Sequence, residues 1–121
     1  MVINLNTYTL EIKKSKFIAI KYEVHSKEEV NDILNKLKIE HKKARHIPYA
    51  YKIGPLAKKS DDKEPSNTAG TPIYNLIETH ALDNILIVVI RYFGGTKLGA
   101  GLLTRSYLKA ANEVIKNIKN N

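Results

Sequence analysis

Apolar and polar residues near the start of the chain alternate with the two-residue period of β-strands. This alternation predicts strands over residues 8–12 and 16–24. The three-residue link 13–15 is short enough for a hairpin between them. In the second strand the apolar residues Ile18, Ile20, Tyr22 and Val24 share one face, and Lys21 and Glu23 lie on the other.

A helical period follows these strands. Ser26 and Glu29 form a capping-box pair, in which the hydroxyl and the carboxylate satisfy backbone amides at a helix start. Apolar residues then recur at helical spacing, and together they predict a helix over residues 26–42. These residues are Val30, Ile33, Leu34 and Leu37.

A third strand is predicted over residues 47–53, where Tyr49 and Tyr51 share a face because successive side chains alternate along a strand. Residues 54–67 contain prolines, lysines and acids without a period, which predicts a long irregular loop. Loops of this length in compact domains are usually functional or disordered.

The remaining segments predict one strand and two helices. Thr71 is placed to cap a helix that has Pro72 in its first position. Residues 85–90 are apolar on both faces, which is typical of a buried strand. The inward stripe of the helix after Pro72 comprises Ile73, Leu76, Ile77 and His80. The stripe of the last helix comprises Leu103, Tyr107, Ala110, Val114 and Ile118.

The predicted element order is ββαβαβα, an α+β arrangement. It favours helices packed on one face of a mixed four-stranded sheet. The pattern does not determine the strand order. With 121 residues and no internal repeat or linker, the chain is expected to form a single domain over residues 1–121.

The candidate binding loop is residues 91–101, between the buried strand and the last helix. Glycines occupy four of the eight positions 94–101, which lets the backbone take positive φ and approach a ligand closely. Nearby cations and the free amides at a helix start favour an anion such as phosphate. The proposed anion- or nucleic-acid-binding residues are Arg91, Tyr92, Gly94, Gly95, Lys97, Gly99, Gly101 and Arg105. The structural alternative is that the glycines only allow a sharp turn and close helix packing.

The acidic residues Asp61, Asp62 and Glu64 form a second candidate group. Carboxylates at this density can hold Mg²⁺ or supply a general base. They can equally cap backbone groups or pair with Lys97 or Arg91 across a cleft, and we expect no metal and no cofactor. An acidic cluster packed against the basic loop would weaken phosphate binding.

Three further residues complete the possible supporting site. His46 with a carboxylate and a lysine would suffice for acid–base chemistry, although a lone histidine is more often structural. Tyr49 and Tyr51, like Tyr92, can stack on bases if they are exposed, and burial against a helix is the alternative.

Three motifs carry a family resemblance: Arg91–Gly101 (RYFGGTKLGAG), residues 44–54 (ARHIPYAYKIG) and residues 61–72 (DDKEPSNTAGTP). In this order they resemble the N-terminal domain of the YigZ/IMPACT family, over about residues 10–118. Lys63, Asn67 and Leu102 stand where that family usually has glycines.

This resemblance implies the fold of the second domain of a small-subunit ribosomal protein, with a left-handed βαβ unit. It also implies a role in translation regulation. The chain is expected to lack the C-terminal ferredoxin-like domain of bacterial relatives.

The net charge of +8 makes this a basic protein, and the charge is uneven, because residues 1–60 carry +7 and residues 61–121 carry +1. A basic half favours RNA, the ribosome or an acidic protein surface as a partner. Lysine usage alone, with 17 Lys against 3 Arg, is the other explanation. Cysteine is absent, and no apolar run approaches the ~20 residues of a membrane span, so a cytoplasmic location without membrane contact is expected.

The sequence favours a non-enzymatic binding module that engages RNA phosphate or a ribosome-associated surface through the basic glycine loop. The alternative is a small-molecule enzyme, a hydrolase or phosphate-ester enzyme, that uses the acidic loop and the glycine-loop amides. The oligomeric state is left open.

Overall fold

The computed structural model describes residues 3–119, and the side chains of residues 6–116. Five strands and three helices follow one another in the order ββαββαβα. They are β1 (Ile3–Ile12), β2 (Ser15–Glu23), α1 (Lys27–Glu40), β3 (Tyr49–Ile53), β4 (Leu56–Ser60), α2 (Gly70–Thr79), β5 (Ile85–Tyr92) and α3 (Gly99–Lys119). None of the helices in this described part is long and apolar enough to cross a membrane.

The strands form one sheet in the order β1-β2-β5-β3-β4, in which every neighbouring pair is antiparallel. The α+β class is confirmed, whereas the predicted four-stranded mixed sheet is wrong. The additional strand, β4, lies within the segment 54–67 that was predicted to be irregular. It forms a hairpin with β3 through Gly54 at φ +58°. Its residues are exposed or half-buried, so it shows no apolar alternation.

The helices cover both faces of the sheet, and the prediction of one covered face is therefore wrong. The central strand β5 explains the arrangement, because its side chains are buried on both sides. Leu86, Val88 and Ile90 pack with the buried stripe of α1. The alternate residues Ile87 and Val89 pack with α2 and α3 on the opposite face.

The first hairpin and the first helix form at the predicted places, although β1 begins at Ile3, five residues before its predicted start, and β2 ends at Glu23 rather than at Val24. The hairpin turn places Lys13 and Lys14 at positive φ, and Ser15 is already the first residue of β2. The Ser26 hydroxyl accepts a hydrogen bond of 3.2 Å from the Glu29 amide, and α1 ends at Glu40, two residues before the predicted end.

Helix α2 begins at Gly70 rather than after a Thr71 cap. The Asp61 carboxylate accepts hydrogen bonds from the Ala69 and Gly70 amides at 3.1 and 2.8 Å, so a distant acid caps this helix. The Thr71 hydroxyl donates to the Asn67 side chain instead.

The predicted inward stripes of α2 and α3 form only in part. In α2, Ile73 and Ile77 are buried, whereas Leu76 is half-buried. His80 follows the helix as its C-cap. In α3 the stripe from Leu103 to Val114 is buried, and Ile118 lies outside the described side chains.

Candidate functional site

A cleft of about 340 Å³ opens at the amino end of α3. Three separate segments of the chain form its walls: the residues before β3, the loop before α2, and the stretch from the end of β5 through the glycine loop to the start of α3. The lining residues are Arg45, His46, Lys63, Glu64, Pro65, Arg91, Phe93, Lys97, Leu98, Gly99, Ala100 and Leu103. Four of these side chains are cationic and one is a carboxylate.

The carboxylate of Glu64 organises the floor of the cleft. Its Oε2 atom accepts a hydrogen bond of 2.9 Å from Nη1 of Arg91 and another, very short one from the Tyr107 hydroxyl. The Nε2 atom of His46 lies 3.6 Å from Oε1. Burial and the bond to Glu64 raise the pKa of Tyr107 above its usual range, so the phenol remains a donor. These contacts tie the acidic loop to β5 and α3.

Arg91 is buried in the cleft floor with its hydrogen-bonding capacity partly unused. Its side chain is only 7% exposed and lies over the Phe17 ring. Among the described residues, its Nε atom is the only buried side-chain nitrogen or oxygen without a hydrogen-bond partner. A guanidinium carries five N–H donors, and a buried donor without a partner is costly. An anion or water in the cleft would reduce this cost if it paired with the remaining donors.

The glycine loop is open to solvent above this floor. Gly95 and Gly99 take φ values of +95° and +78°, which favour glycine. Gly94 lies so close to the hairpin turn that a Cβ there would be 2.2 Å from the Lys14 carbonyl carbon. Its amide donates to the Ser15 hydroxyl, whereas in the described structure the amides of residues 95–98 have no hydrogen-bond partner.

The outer wall of the cleft carries an aromatic ring. Phe93 is 38% exposed, and the guanidinium carbon of Arg45 lies 4.4 Å from the ring centroid. This distance is typical of a cation–π contact. Arg45 is held in place because its amide donates to the Arg91 carbonyl at 2.8 Å.

The cleft brings together five of the residues that the sequence analysis proposed. They are Arg91, Lys97, Gly99, His46 and Glu64. Gly94, Gly95 and Gly101 shape the adjoining loop and helix start without lining the cleft. Arg105 is exposed one turn further along α3, with its guanidinium beside Gly101.

The three tyrosines lie on the other face of the sheet. Tyr51 is buried, and Tyr49 and Tyr92 pack partly buried against the same core as α1. The Tyr92 hydroxyl is 2.6 Å from Nδ1 of His41. These tyrosines therefore pack in the core beneath α1, and they do not line the cleft where they could stack on bases.

Asp61 and Asp62 are turned toward the backbone. Asp61 accepts bonds from three amides around the start of α2, and Asp62 accepts one of 2.6 Å from the Ile47 amide. In the described part of the chain no three potential ligands lie together where they could hold a metal ion. Asp61 and Asp62 therefore cap backbone amides, whereas Glu64 forms an ion pair with Arg91.

Two of the residues that replace family glycines occupy left-handed backbone positions. Lys63 has φ +69° and Asn67 has φ +64°, whereas Leu102 is in α3. Positive φ favours glycine, so the glycines that the family resemblance implies at these two positions would suit this backbone.

Three residues that line the cleft were not predicted as site residues: Arg45, Lys63 and Phe93. Phe93 lies in the glycine-loop motif two residues after Arg91, so the strand period could have placed it on the same side. Arg45 adjoins His46 in the second motif. Their proximity to the loop depends on the pairing of residue 46 with β5, which the sequence pattern does not reveal.

The fold and the cleft together define a small α+β domain with a basic cleft at a helix start. Residues 13–115 match the Impact N-terminal domain family. The chain belongs to the IMPACT family. The IMPACT family member YvyE of Bacillus subtilis is 40% identical over 114 residues, which are 92% of this chain and 52% of that protein. A Thermus thermophilus protein described as "IMPACT family member in pol 5'region" is 43% identical over 107 residues, 87% of this chain and 57% of that protein.

The chain thus spans little more than half the length of these relatives. YigZ of Escherichia coli is 32% identical over 93% of this chain and 57% of its own length. Among solved structures, one described as "Crystal structure of an hypothetical protein" has a TM-score of 0.88 at 32% identity, covering 95% of this chain and 59% of that one. Yih1, described as a two-domain translational regulator, has a TM-score of 0.55 at 24% identity over 97% of this chain and 46% of its own, and so shares the fold.

Proposed function

We propose that this domain is a non-enzymatic binding module of translation regulation that engages RNA phosphate through the cleft and the glycine loop. The translational part of the proposal has two sources. Yih1 is described as a translational regulator, and the family resemblance implies a role in translation regulation. A ribosome-associated protein surface is the other partner that a basic cleft can serve.

The observation that carries the proposal is the charge of the cleft. Arg45, Lys63 and Lys97 are exposed at its rim, and none has an ion pair among the described residues. The single carboxylate, Glu64, is directed at Arg91 below them. Free amides of the loop and the helix start add further positive potential. A phosphate group matches this combination.

Salt dependence tests the proposal quantitatively. If the three rim cations and Arg105 contact single-stranded RNA, the slope of log affinity against log salt is about −2.8, from about 0.7 per phosphate neutralised. Lys97→Ala and Arg105→Ala are each expected to reduce the slope by about 0.7. The measurement is fluorescence anisotropy of a labelled oligoribonucleotide at several salt concentrations.

Lys38→Ala is the matched control, because Lys38 is an exposed lysine of α1 on the opposite side of the sheet. Its RNA affinity should equal that of the wild type. Absent or salt-independent binding would refute RNA as the partner, and an equal loss in the Lys38 variant would show that net charge alone is responsible.

One observation favours a second function, hydrolysis of a small phosphate ester. His46, Glu64 and Lys97 line the same cleft, which is the set of groups that acid–base chemistry needs. Asp62 is not among the residues that line the cleft, and its carboxylate accepts a hydrogen bond from the Ile47 amide. Turnover of p-nitrophenyl phosphate that disappears in His46→Asn would support this function, and an inactive wild type would count against it.

A further inference from the structure

We infer that the cleft accepts one unpaired nucleotide, with its base stacked beside Phe93 and Arg45 and its phosphate at the start of α3. The inference rests on the proposed RNA-binding function and names the form of RNA that the site selects.

The stacking surface is already assembled in the free protein. Phe93 keeps 38% of its surface exposed although Arg45 lies over its ring. Both residues are anchored to β5, Phe93 because it directly follows the strand and Arg45 because its amide donates a hydrogen bond to the Arg91 carbonyl. An aromatic ring and a guanidinium plane are the two side-chain surfaces on which unstacked bases pack.

The phosphate end of the site lies on the same cleft. Lys97 and the first residues of α3 also line it, and Arg91 lies in the floor with its Nε atom unpartnered. Because Phe93 and Lys97 line the same cleft of about 340 Å³, a single nucleotide can contact the ring and the cationic turn at once.

The size and chemistry of the cleft favour a single strand over a duplex. Its volume of about 340 Å³ is at the small end of ligand sites, which span roughly 300 to 1,000 Å³. Inside a duplex the base faces are covered by neighbouring base pairs, so Phe93 would have no stacking partner away from the duplex ends. Contacts to phosphate alone would not distinguish the two forms.

The experiment compares a fluorescein-labelled ten-nucleotide oligouridylate with a labelled RNA duplex of thirty base pairs, in which the two exposed terminal base faces are a small share of the sites, at one low salt concentration. Phe93→Leu removes the ring while keeping an apolar side chain, and Phe93→Tyr keeps the ring. We expect Phe93→Leu to weaken binding of the single strand at least about fivefold, as loss of one stacked base does. Phe93→Tyr should remain within about twofold of the wild type, and duplex binding should not change in either variant. Thermal melts of both variants verify that they fold.

The outcomes separate this inference from the function on which it rests. If Phe93→Leu binds the oligouridylate as the wild type does while Lys97→Ala binds it more weakly, stacking is refuted and phosphate binding stands. If Phe93→Leu weakens the duplex as much as the single strand, Phe93 does not select unpaired bases. If the wild type binds neither RNA, both proposals fail.

Discussion

Replacing Glu64 with glutamine tests whether the buried carboxylate stabilises the cleft. Its side chain is 2% exposed, and its partner Arg91 is 7% exposed. The amide of Glu64→Gln keeps one oxygen that can accept from Arg91 or Tyr107, but it removes the negative charge. A guanidinium that stays buried without a counter-charge then destabilises the folded state.

The expected loss follows from the burial of both groups. Removing one partner of a buried ion pair costs about 3–5 kcal/mol, because the other charge stays uncompensated. The retained amide oxygen places Glu64→Gln near the lower limit, at about 3 kcal/mol. Domains are stable by about 5–15 kcal/mol, so this is a large fraction of the total. At roughly 3–5 °C per kcal/mol for a domain of this size, Tm should fall by about 10 °C.

Urea unfolding followed by circular dichroism measures the effect. Glu78→Gln is the matched control, because Glu78 is an exposed residue of α2. Its stability should stay within about 0.5 kcal/mol of the wild type. The triple variant Glu64→Leu, Arg91→Met and Tyr107→Phe, which also removes the phenol hydroxyl that donates to Glu64, should recover most of the loss, since apolar replacement of a whole buried polar group is often neutral. A loss below about 1 kcal/mol in Glu64→Gln would refute the reasoning.

Three further variants test the glycine loop and the Tyr107 phenol beneath the cleft floor. Gly94→Ala should lose on the order of 2–3 kcal/mol in urea unfolding, because its Cβ would be 2.2 Å from the Lys14 backbone. The helical Gly101→Ala should gain up to about 1 kcal/mol, and equal effects in the two variants would contradict this argument. Because the pKa of Tyr107 is raised, the folded protein keeps a proton that the unfolded chain loses above about pH 10, so stability falls there by up to about 1.4 kcal/mol per pH unit. Tyr107→Phe lacks this contribution, so its free energy of unfolding, measured by urea titration, should fall less steeply above about pH 10 than that of the wild type. Parallel curves of unfolding free energy against pH for the two proteins would disprove the assigned role of Tyr107.

The elements that the sequence predicted correctly are those whose own apolar residues recur at the period of a strand or helix and are buried in the core. The central strand β5 and the helix α1 are examples, since each packs an apolar set at the period of its element. Strand β4 lies at the sheet edge with exposed lysines and has no buried face, so periodicity could not reveal it. The apolar character of both faces of β5 already required helices on both sides, which the one-face prediction overlooked.

The sequence predicted the glycine loop of the candidate site, but it did not predict the other walls of the cleft. The apolar stripe of the last helix and the glycine content of residues 94–101 located the turn before α3. The other walls come from the pairing of residue 46 with Arg91 and from the contact of Glu64 with Tyr107, both between residues distant in sequence. Local patterns carry no information about such contacts.

The apparent conflict between an acidic loop and a basic loop is resolved by the direction of each carboxylate. Asp61 and Asp62 accept hydrogen bonds from backbone amides, which fixes the path of the loop before α2. Glu64 binds Arg91 in the floor and leaves the rim cations without an acidic partner among the described residues. The acids therefore shape the cleft without neutralising its rim. Because screening weakens distant exposed charges more than close contacts, only an anion seated directly at the rim should gain from this arrangement.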